Sequence, residues 1–305
     1  MLAYFLRRFL SVIPVLLAVS TIVFVLLHAI PGDPVDLMLG EQEMQADRQA
    51  LVEQLGLNRP ILVQYLDFLK GLITGNWGKS LFDRQPVLTH VGNRIGATLL
   101  LAFCAMFVSI IIALPAGILA ATKRGRFFDQ FTMLLALIGI SIPNFWLGPV
   151  LILIFSVHLG ILPISGKESL TSLILPSITL GAALAAMLSR MTRSSMIEEL
   201  GRDYVTTARA KGVSEKSIIF KHAFRNALNP IITIIGLQVG TLLAGTIIAE
   251  KVFSWPGMGM LLLDAIHRRD YPVVEGCILV ISFLFVFINT VTDCFYKVID
   301  PRVEL

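Results

Sequence analysis

The sequence predicts an all-α integral membrane protein with six transmembrane helices, a small helical extracytoplasmic insert, and one charged helical loop on the cytoplasmic face. Three observations point there. Hydrophobic residues fill 55% of the 305 positions and charged residues only 15%, against roughly 25% charged in soluble domains. Several apolar runs exceed the ~18 residues that suggest a membrane span, and the mean hydropathy is +0.79. The 25 Lys and Arg, finally, are shared unevenly between the two sides that six spans define.

The first span opens after Arg7 and Arg8 and covers Leu10 to Ile30. A signal peptide has an apolar core of only about 7–15 residues and a small-residue cleavage site. This run is longer and lacks such a site, so residues 1–30 read as a short terminus and a retained signal-anchor helix. Pro31 to Pro34 (PGDP) then break the chain, and residues 31–94 form the insert. Within it, residues 44–57 and 65–73 carry apolar positions at helical spacing. The GKS at 78–80 resembles the end of a phosphate-binding loop. That loop needs a Gly five residues before Gly78, where Ile73 stands, so nucleotide binding here is rejected.

Residues 95–305 hold the other five spans. The second covers Ile95 to Ala121 and is followed by the basic TKRGR at 122–126. No charge occurs between Asp129 and Lys167, and the third span is placed as one helix, Phe131 to Val157, with Pro143 and Pro149 inside it. The fourth covers Leu170 to Leu188, the fifth Ile231 to Ala249 and the sixth Gly276 to Thr292. Pro14, Pro115, Pro143 and Pro176 are read as ordinary membrane-helix prolines, whose freed carbonyls neighbours can satisfy. Gly240 and Gly245 permit close helix packing in the fifth span.

With both termini cytoplasmic, 15 of the 25 Lys and Arg fall on the inner side, concentrated in short ends and loops. That asymmetry orients the chain; an odd number of spans would break it. The basic residues therefore report on the bilayer and not on nucleic acid. Cys104, Cys277 and Cys294 lie in or beside apolar runs and read as small apolar residues. His28, His90, His158, His222 and His267 are scattered, with no HExxH and no G-x-S-x-G, so neither a metal site nor a catalytic residue is assigned, and no cofactor is implied. Glu250, Glu275 and Asp293 fall just past span ends and are expected to be interfacial charges in contact with water. The spans themselves contain no ionisable group of the kind an ion-coupled transporter uses.

Residues 203–230 (DYVTTARAKGVSEKSIIFKHAFRNALNP) break the oily pattern. Five basic residues, Arg209, Lys211, Lys216, Lys221 and Arg225, forbid membrane insertion, since each costs roughly 2.5–3.5 kcal/mol near a helix centre. The stretch predicts two helices. The first ends with Lys211 in its last turn and Gly212 as a left-handed cap. Ser214 N-caps the second, with Glu215 at its positive end. Ile218, Ile219, His222 and Ala223 share one side of it, Lys221 and Arg225 form a basic ridge, and Pro230 starts the fifth span. Amphipathicity alone leaves two readings open: a helix resting on anionic headgroups, or a docking element for a soluble partner.

The segment resembles the cytoplasmic coupling loop of membrane subunits in binding-protein-dependent ABC importers. The general pattern there is E-A-A, three residues, G, nine residues, I-x-L-P. Thr206, Thr207 and Ala208 occupy the first three positions and Gly212 the glycine, while His222, Ala223, Phe224 and Arg225 replace the distal four. Only Ala208 and Gly212 match that form. TARAKG at 207–212 and HAFRNALNP at 222–230 are similar to the dipeptide, oligopeptide and nickel permease branch. So are LRR near the start, PGDP, IPNFWLG (142–148), LPSITLG (175–181), EKVFSWPGMG (250–259), RDYPV (269–273) and the terminal DPR, across essentially the whole chain.

The resemblance implies a permease subunit in the cytoplasmic membrane of a prokaryote. It would pair with a homologous second permease, bind two ATP-binding cassette ATPase subunits, and receive substrate from an extracytoplasmic solute-binding protein. The coupling loop, placed at 196–230, would meet the ATPase through Thr206, Thr207, Ala208, Arg209, Lys211, Gly212, Ser214, Lys221 and Arg225. Peptides are the expected substrate, with chelated nickel or glutathione as alternatives within the branch, and an ATP-independent transporter or channel as the rival outside it. No residue is assigned to substrate.

Overall fold

The computed structural model describes residues 12–29, 49, 52 and 58–299. PGDP, most of residues 44–57, the LRR and DPR motifs and the side chains of Asp293 and Cys294 lie outside what it describes. Regular structure in the described range is helical apart from one isolated antiparallel bridge, Lys79 to Pro86. Ten main helices follow in order: α1 Val12–Ala29, α2 Ile61–Thr74, α3 Val87–Thr122, α4 Phe127–Ser141, α5 Asn144–Leu151, α6 Ile174–Leu200, α7 Asp203–Ala210, α8 Phe224–Val252, α9 Met258–Arg268 and α10 Tyr271–Ile299. Among the described residues, four helical stretches are long and apolar enough to cross a membrane, six if each of two bent pairs counts as one span. The chain divides into two compact units, residues 1–97 with 256–287, and 98–255 with 288–305.

In the first unit, α1 turns Ile13, Leu17, Ile22, Val25 and Leu26 outward, each more than half exposed, as a lipid-facing surface requires. Its other face meets α2. Phe24 stacks on Phe68 at 5.9 Å, and the Thr21 and Tyr65 hydroxyls share a 2.6 Å hydrogen bond. Gly75, at φ 76°, closes α2 in the left-handed conformation. The GKS segment has a structural part to play: Ser80 donates to Asp270 Oδ2 at 2.6 Å, and the Leu81 amide donates to Asp270 Oδ1 at 3.1 Å. The RDYPV motif is thereby tied to the end of the insert. Beside it, a Cβ on Gly276 would stand 2.4 Å from Val87 Cγ1, so only glycine lets the second turn of α10 lie this close to the start of α3.

The second unit corrects the third span. It is not one continuous helix: α4 and α5 meet at a 104° bend. Ile142, the residue before Pro143, is extended at ψ 118°, as the proline ring demands of its predecessor. Pro143 itself is extended at ψ 140° and only then does α5 begin. A π-helical turn, Ile152–His158, follows α5. Pro176 causes no such break, because it sits in the first turn of α6, where its missing N–H has no intrahelical role.

Of the two glycines expected to permit close packing, Gly245 is not at a tight contact. A Cβ on Gly245 would meet Leu180 at an ordinary 3.8 Å, whereas one on Gly117 would lie 2.6 Å from Thr192 Cβ and one on Gly181 2.8 Å from the Ala105 carbonyl oxygen. Small residues of α3 and α6 thus bring those two helices to backbone contact. At one end of this pair, Asp129 is buried and takes hydrogen bonds from Arg193 Nε, from Arg193 Nη2 at 2.8 Å and from the Gly125 amide at 2.8 Å.

The expectation that Glu250 and Glu275 face water is wrong. Glu250 is fully buried and accepts a 2.6 Å hydrogen bond from Thr98, and Glu275 is 9% exposed. Both helices extend past the apolar run that marked the span, so these carboxylates lie inside packed helical turns. Cys277 is buried, in line with an apolar role.

Candidate functional site

The charged segment folds as a helical hairpin mounted on the second unit. Its turn is a complete Schellman cap: Val213 N–H donates to Ala208 O at 3.1 Å and Gly212 N–H to Arg209 O at 3.0 Å, with Gly212 at φ 76°. Nothing lies within 4 Å of where a Gly212 Cβ would be. The glycine is therefore required by backbone conformation alone.

Two sequence expectations change here. Ser214 stands at the N-cap position with an extended backbone, but its side chain makes no capping hydrogen bond. Glu215 is instead held by Arg209, through Nε at 2.7 Å and Nη2 at 3.3 Å, so the two arms are clipped together across the turn. That hydrogen bond holds the Arg209 guanidinium above its ordinary pKa. The second arm also does not stop before the fifth span. Glu215–Ser217, the π-helical turn Ile218–Ala223 and α8 run on without a break, leaving Pro230 inside the helix. A wide π turn shifts the register of the side chains on either side of it, letting the hairpin arm and the span each keep an apolar face inward.

The underside of the hairpin is spent on the protein's own core. Val205, Ile218 and Ala223 are fully covered. Ala223 and Ala227 pack with Ala113, Ala121, Leu188, Met196 and Ile231, flanked by Ile219 and Phe224. Covering a side chain the size of Val205 or Ile218 contributes about 1.5–3 kcal/mol, which these residues no longer have to offer a lipid surface. The outer side carries the predicted residues. Thr206, Thr207, Arg209, Lys211, Gly212, Ser214, Lys221 and Arg225 are exposed, and Ala208 is half-buried. Thr207 returns its hydroxyl to the Asp203 carbonyl at 3.0 Å.

What seats the hairpin was missed in the sequence. Glu199, at the end of α6, is 7% exposed, accepts from the Tyr204 hydroxyl at 2.8 Å and is ion-paired with Arg202 Nη2 at 3.0 Å. Burial, then the Glu199 carboxylate, push the Tyr204 phenol above its usual range, although a hydrogen bond from Asn226 works the other way. Tyr204 therefore stays a donor and links α6 to α7. Beside this network lies a polar cavity of about 550 Å³, with Arg225, Asn226 and Asn229 on one side and Glu198, Glu199 and Arg202 on the other. Asn226 falls inside the HAFRNALNP motif and Tyr204 stands just before TARAKG, which was the available signal. Nothing in sequence distinguishes a buried Glu199 from its exposed neighbour Glu198. Among the described residues, no group of three His, Cys, Asp or Glu is placed to hold a metal ion.

Comparison with known proteins fits this architecture. A profile of the binding-protein-dependent transport system inner membrane component family matches residues 113–305. The N-terminal profile of binding-protein-dependent transport system membrane components matches residues 1–102. The dipeptide transport system permease protein DppB of Escherichia coli (strain K12) is 42% identical over 336 residues, covering 100% of this chain and 99% of the relative. The glutathione transport system permease protein GsiC of the same strain is 44% identical over 304 residues, with the same two coverages. Among solved structures, an inward-facing conformation of the MetNI methionine ABC transporter superposes with a TM-score of 0.56 at 19% identity, over 69% of this chain and 96% of the other, a likeness of fold. The chain belongs to the family of binding-protein-dependent transport system inner membrane components.

Proposed function

We propose that this chain is one permease subunit of an ABC importer for di- or oligopeptides, with its 203–230 hairpin as the surface that meets an ATPase. Supporting the substrate are the names of the relatives, one a dipeptide and one a glutathione permease. Glutathione, itself a tripeptide, is the second reading, favoured by the 44% identity to GsiC. The observation that carries the coupling role is the hairpin's two-sidedness: apolar residues are buried beneath it while Thr206, Arg209, Lys211, Lys221 and Arg225 stand outward on a locked turn. On this reading a homologous second permease completes the pathway, two ATPase subunits supply the energy, and a solute-binding protein delivers substrate on the outer side. Both termini lie in the cytoplasm of a prokaryotic cell.

The test is reconstitution in vesicles with the neighbouring permease, ATPase and solute-binding subunits. Uptake of labelled dialanine or glutathione should require ATP, the loaded binding protein and an intact hairpin, and whichever substrate drives ATP hydrolysis names the transporter. The purified chain alone should hydrolyse no ATP. Uptake that proceeds without the ATPase subunits would overturn the importer reading in favour of an ATP-independent transporter or channel.

A further inference from the structure

The first unit holds a cavity of about 210 Å³ between α1, α2 and the start of α10 that the coupling reading does not use. Glu275 lines it and is 9% exposed, and no described residue offers its carboxylate a hydrogen bond or an ion pair. An ionised carboxylate buried with no counter-charge among the described residues is unfavourable by several kcal/mol, a cost that a proton or a cation would remove. The two bases in the cavity wall are already engaged. Arg59 pairs with Asp67 at 3.2 Å. The His28 ring is held between the Phe24 carbonyl at 2.8 Å and Gln64 Oε1 at 3.3 Å. Gln64 is oriented for that contact because its amide nitrogen donates to the Arg59 carbonyl at 2.9 Å.

Leu81, Pro272 and three aromatic rings complete the wall. Phe24, Phe68 and Tyr271 all line the cavity. Faces of aromatic rings attract a cation held within about 6 Å, more strongly when it is desolvated. A metal ion is a poor match, because no group of three ligating side chains gathers among the described residues. A proton on Glu275 would neutralise the carboxyl but leave the space unfilled. We propose that this cavity binds a primary ammonium group, with Glu275 as its anionic partner and Phe24, Phe68 and Tyr271 as its walls. A volume of this size admits an amine end carrying a few heavy atoms, and the buried anion selects for charge over size.

The experiment uses the full chain in lipid nanodiscs and radiolabelled methylammonium in equilibrium dialysis. Saturable retention should weaken about tenfold or more in Glu275→Gln, an isosteric change that removes the charge, and less in Phe68→Leu. Dialanine and N-acetyl-dialanine are then offered as competitors to the unaltered chain, an arm that needs no variant. Displacement by dialanine and not by its acetylated form would assign the ammonium to a peptide terminus. Displacement by neither would assign it to a small amine, and both results uphold the site. Methylammonium retention that is absent, or unchanged in a Glu275→Gln chain of normal helix content, would overturn it, as would equal competition by the acetylated peptide. ATP-driven uptake by the complete transporter is a separate readout, so failure of this site leaves the importer reading standing.

Discussion

At the scale of single residues, Gly212 gives the sharpest test of the hairpin. Its φ of 76° is left-handed, and no atom lies near the place of a Cβ. A substitution there is penalised by backbone conformation alone, by about 1–2 kcal/mol for a side-chain-bearing residue. Gly212→Val should still insert and accumulate, but the bent surface should distort, so that binding-protein-stimulated ATP hydrolysis and substrate uptake collapse in reconstituted vesicles. Asn tolerates this conformation far better than Val, so Gly212→Asn should retain most of the activity. Equal activity in the Val and Asn variants would show that the turn's shape does not matter to coupling. Tyr204 tests the mounting beneath the turn. Tyr204→Phe removes the hydroxyl that meets buried Glu199 at 2.8 Å, leaving that carboxylate short of a donor at a cost of roughly 1–3 kcal/mol. Amide hydrogen exchange in residues 203–213 should accelerate while the spans stay protected, a pattern that general destabilisation would not produce.

Between elements, the informative contact is Asp129 with Arg193, which fastens the start of α4 to the cytoplasm-proximal half of α6 under the proposed topology. Asp129 is 4% exposed while the Arg193 side chain keeps 27% of its surface. Deleting one partner strands the other, whereas replacing both by neutral groups removes the unmet charge altogether. Asp129→Asn alone should therefore destabilise the protein by about 1–3 kcal/mol, and Asp129→Asn with Arg193→Gln by less than the two single changes added. Thermal unfolding of the four proteins in one detergent completes the cycle; strict additivity would mean that the pair carries no coupling. The contact was invisible in the sequence, where Asp129 reads as the border of an apolar run. The same holds for Ser80 and Asp270, 190 positions apart, whose 2.6 Å hydrogen bond joins two motifs that the sequence presents separately. Local signals were legible where their cause is local: Gly212 as a helix stop, the helix within residues 65–73, the basic faces. Pairings across long stretches of chain leave no periodic trace.

For the molecule as a whole, apolar length and basic asymmetry were enough to read an all-helical membrane protein, because both follow from the bilayer and need no tertiary contact. The break in the third span was not readable by those means. No charge marks it, and prolines within a membrane run are too often tolerated for Pro143 alone to announce a 104° bend. The buried positions of Glu250 and Glu275 were hidden for the opposite reason, since charge at the end of an apolar run ordinarily means water. Orientation depends on the distribution of Lys and Arg and requires α4 and α5 to make one bent span, because a re-entrant segment would return the chain to the side it came from and leave an odd number of spans. The proposed topology therefore commits Lys70 in α2 to the outer face and Lys216 in the hairpin to the inner face. Both side chains are exposed, so a cysteine at either position should be reachable without disturbing a core. In intact cells, a membrane-impermeant maleimide should label Lys70→Cys and spare Lys216→Cys, and inverted vesicles should reverse the result. If Lys70→Cys were labelled only in inverted vesicles, the orientation would be reversed; if both positions reacted in intact cells, an even number of spans would lie between the insert and the hairpin in place of the proposed odd number, and the ATPase could not share the hairpin's compartment.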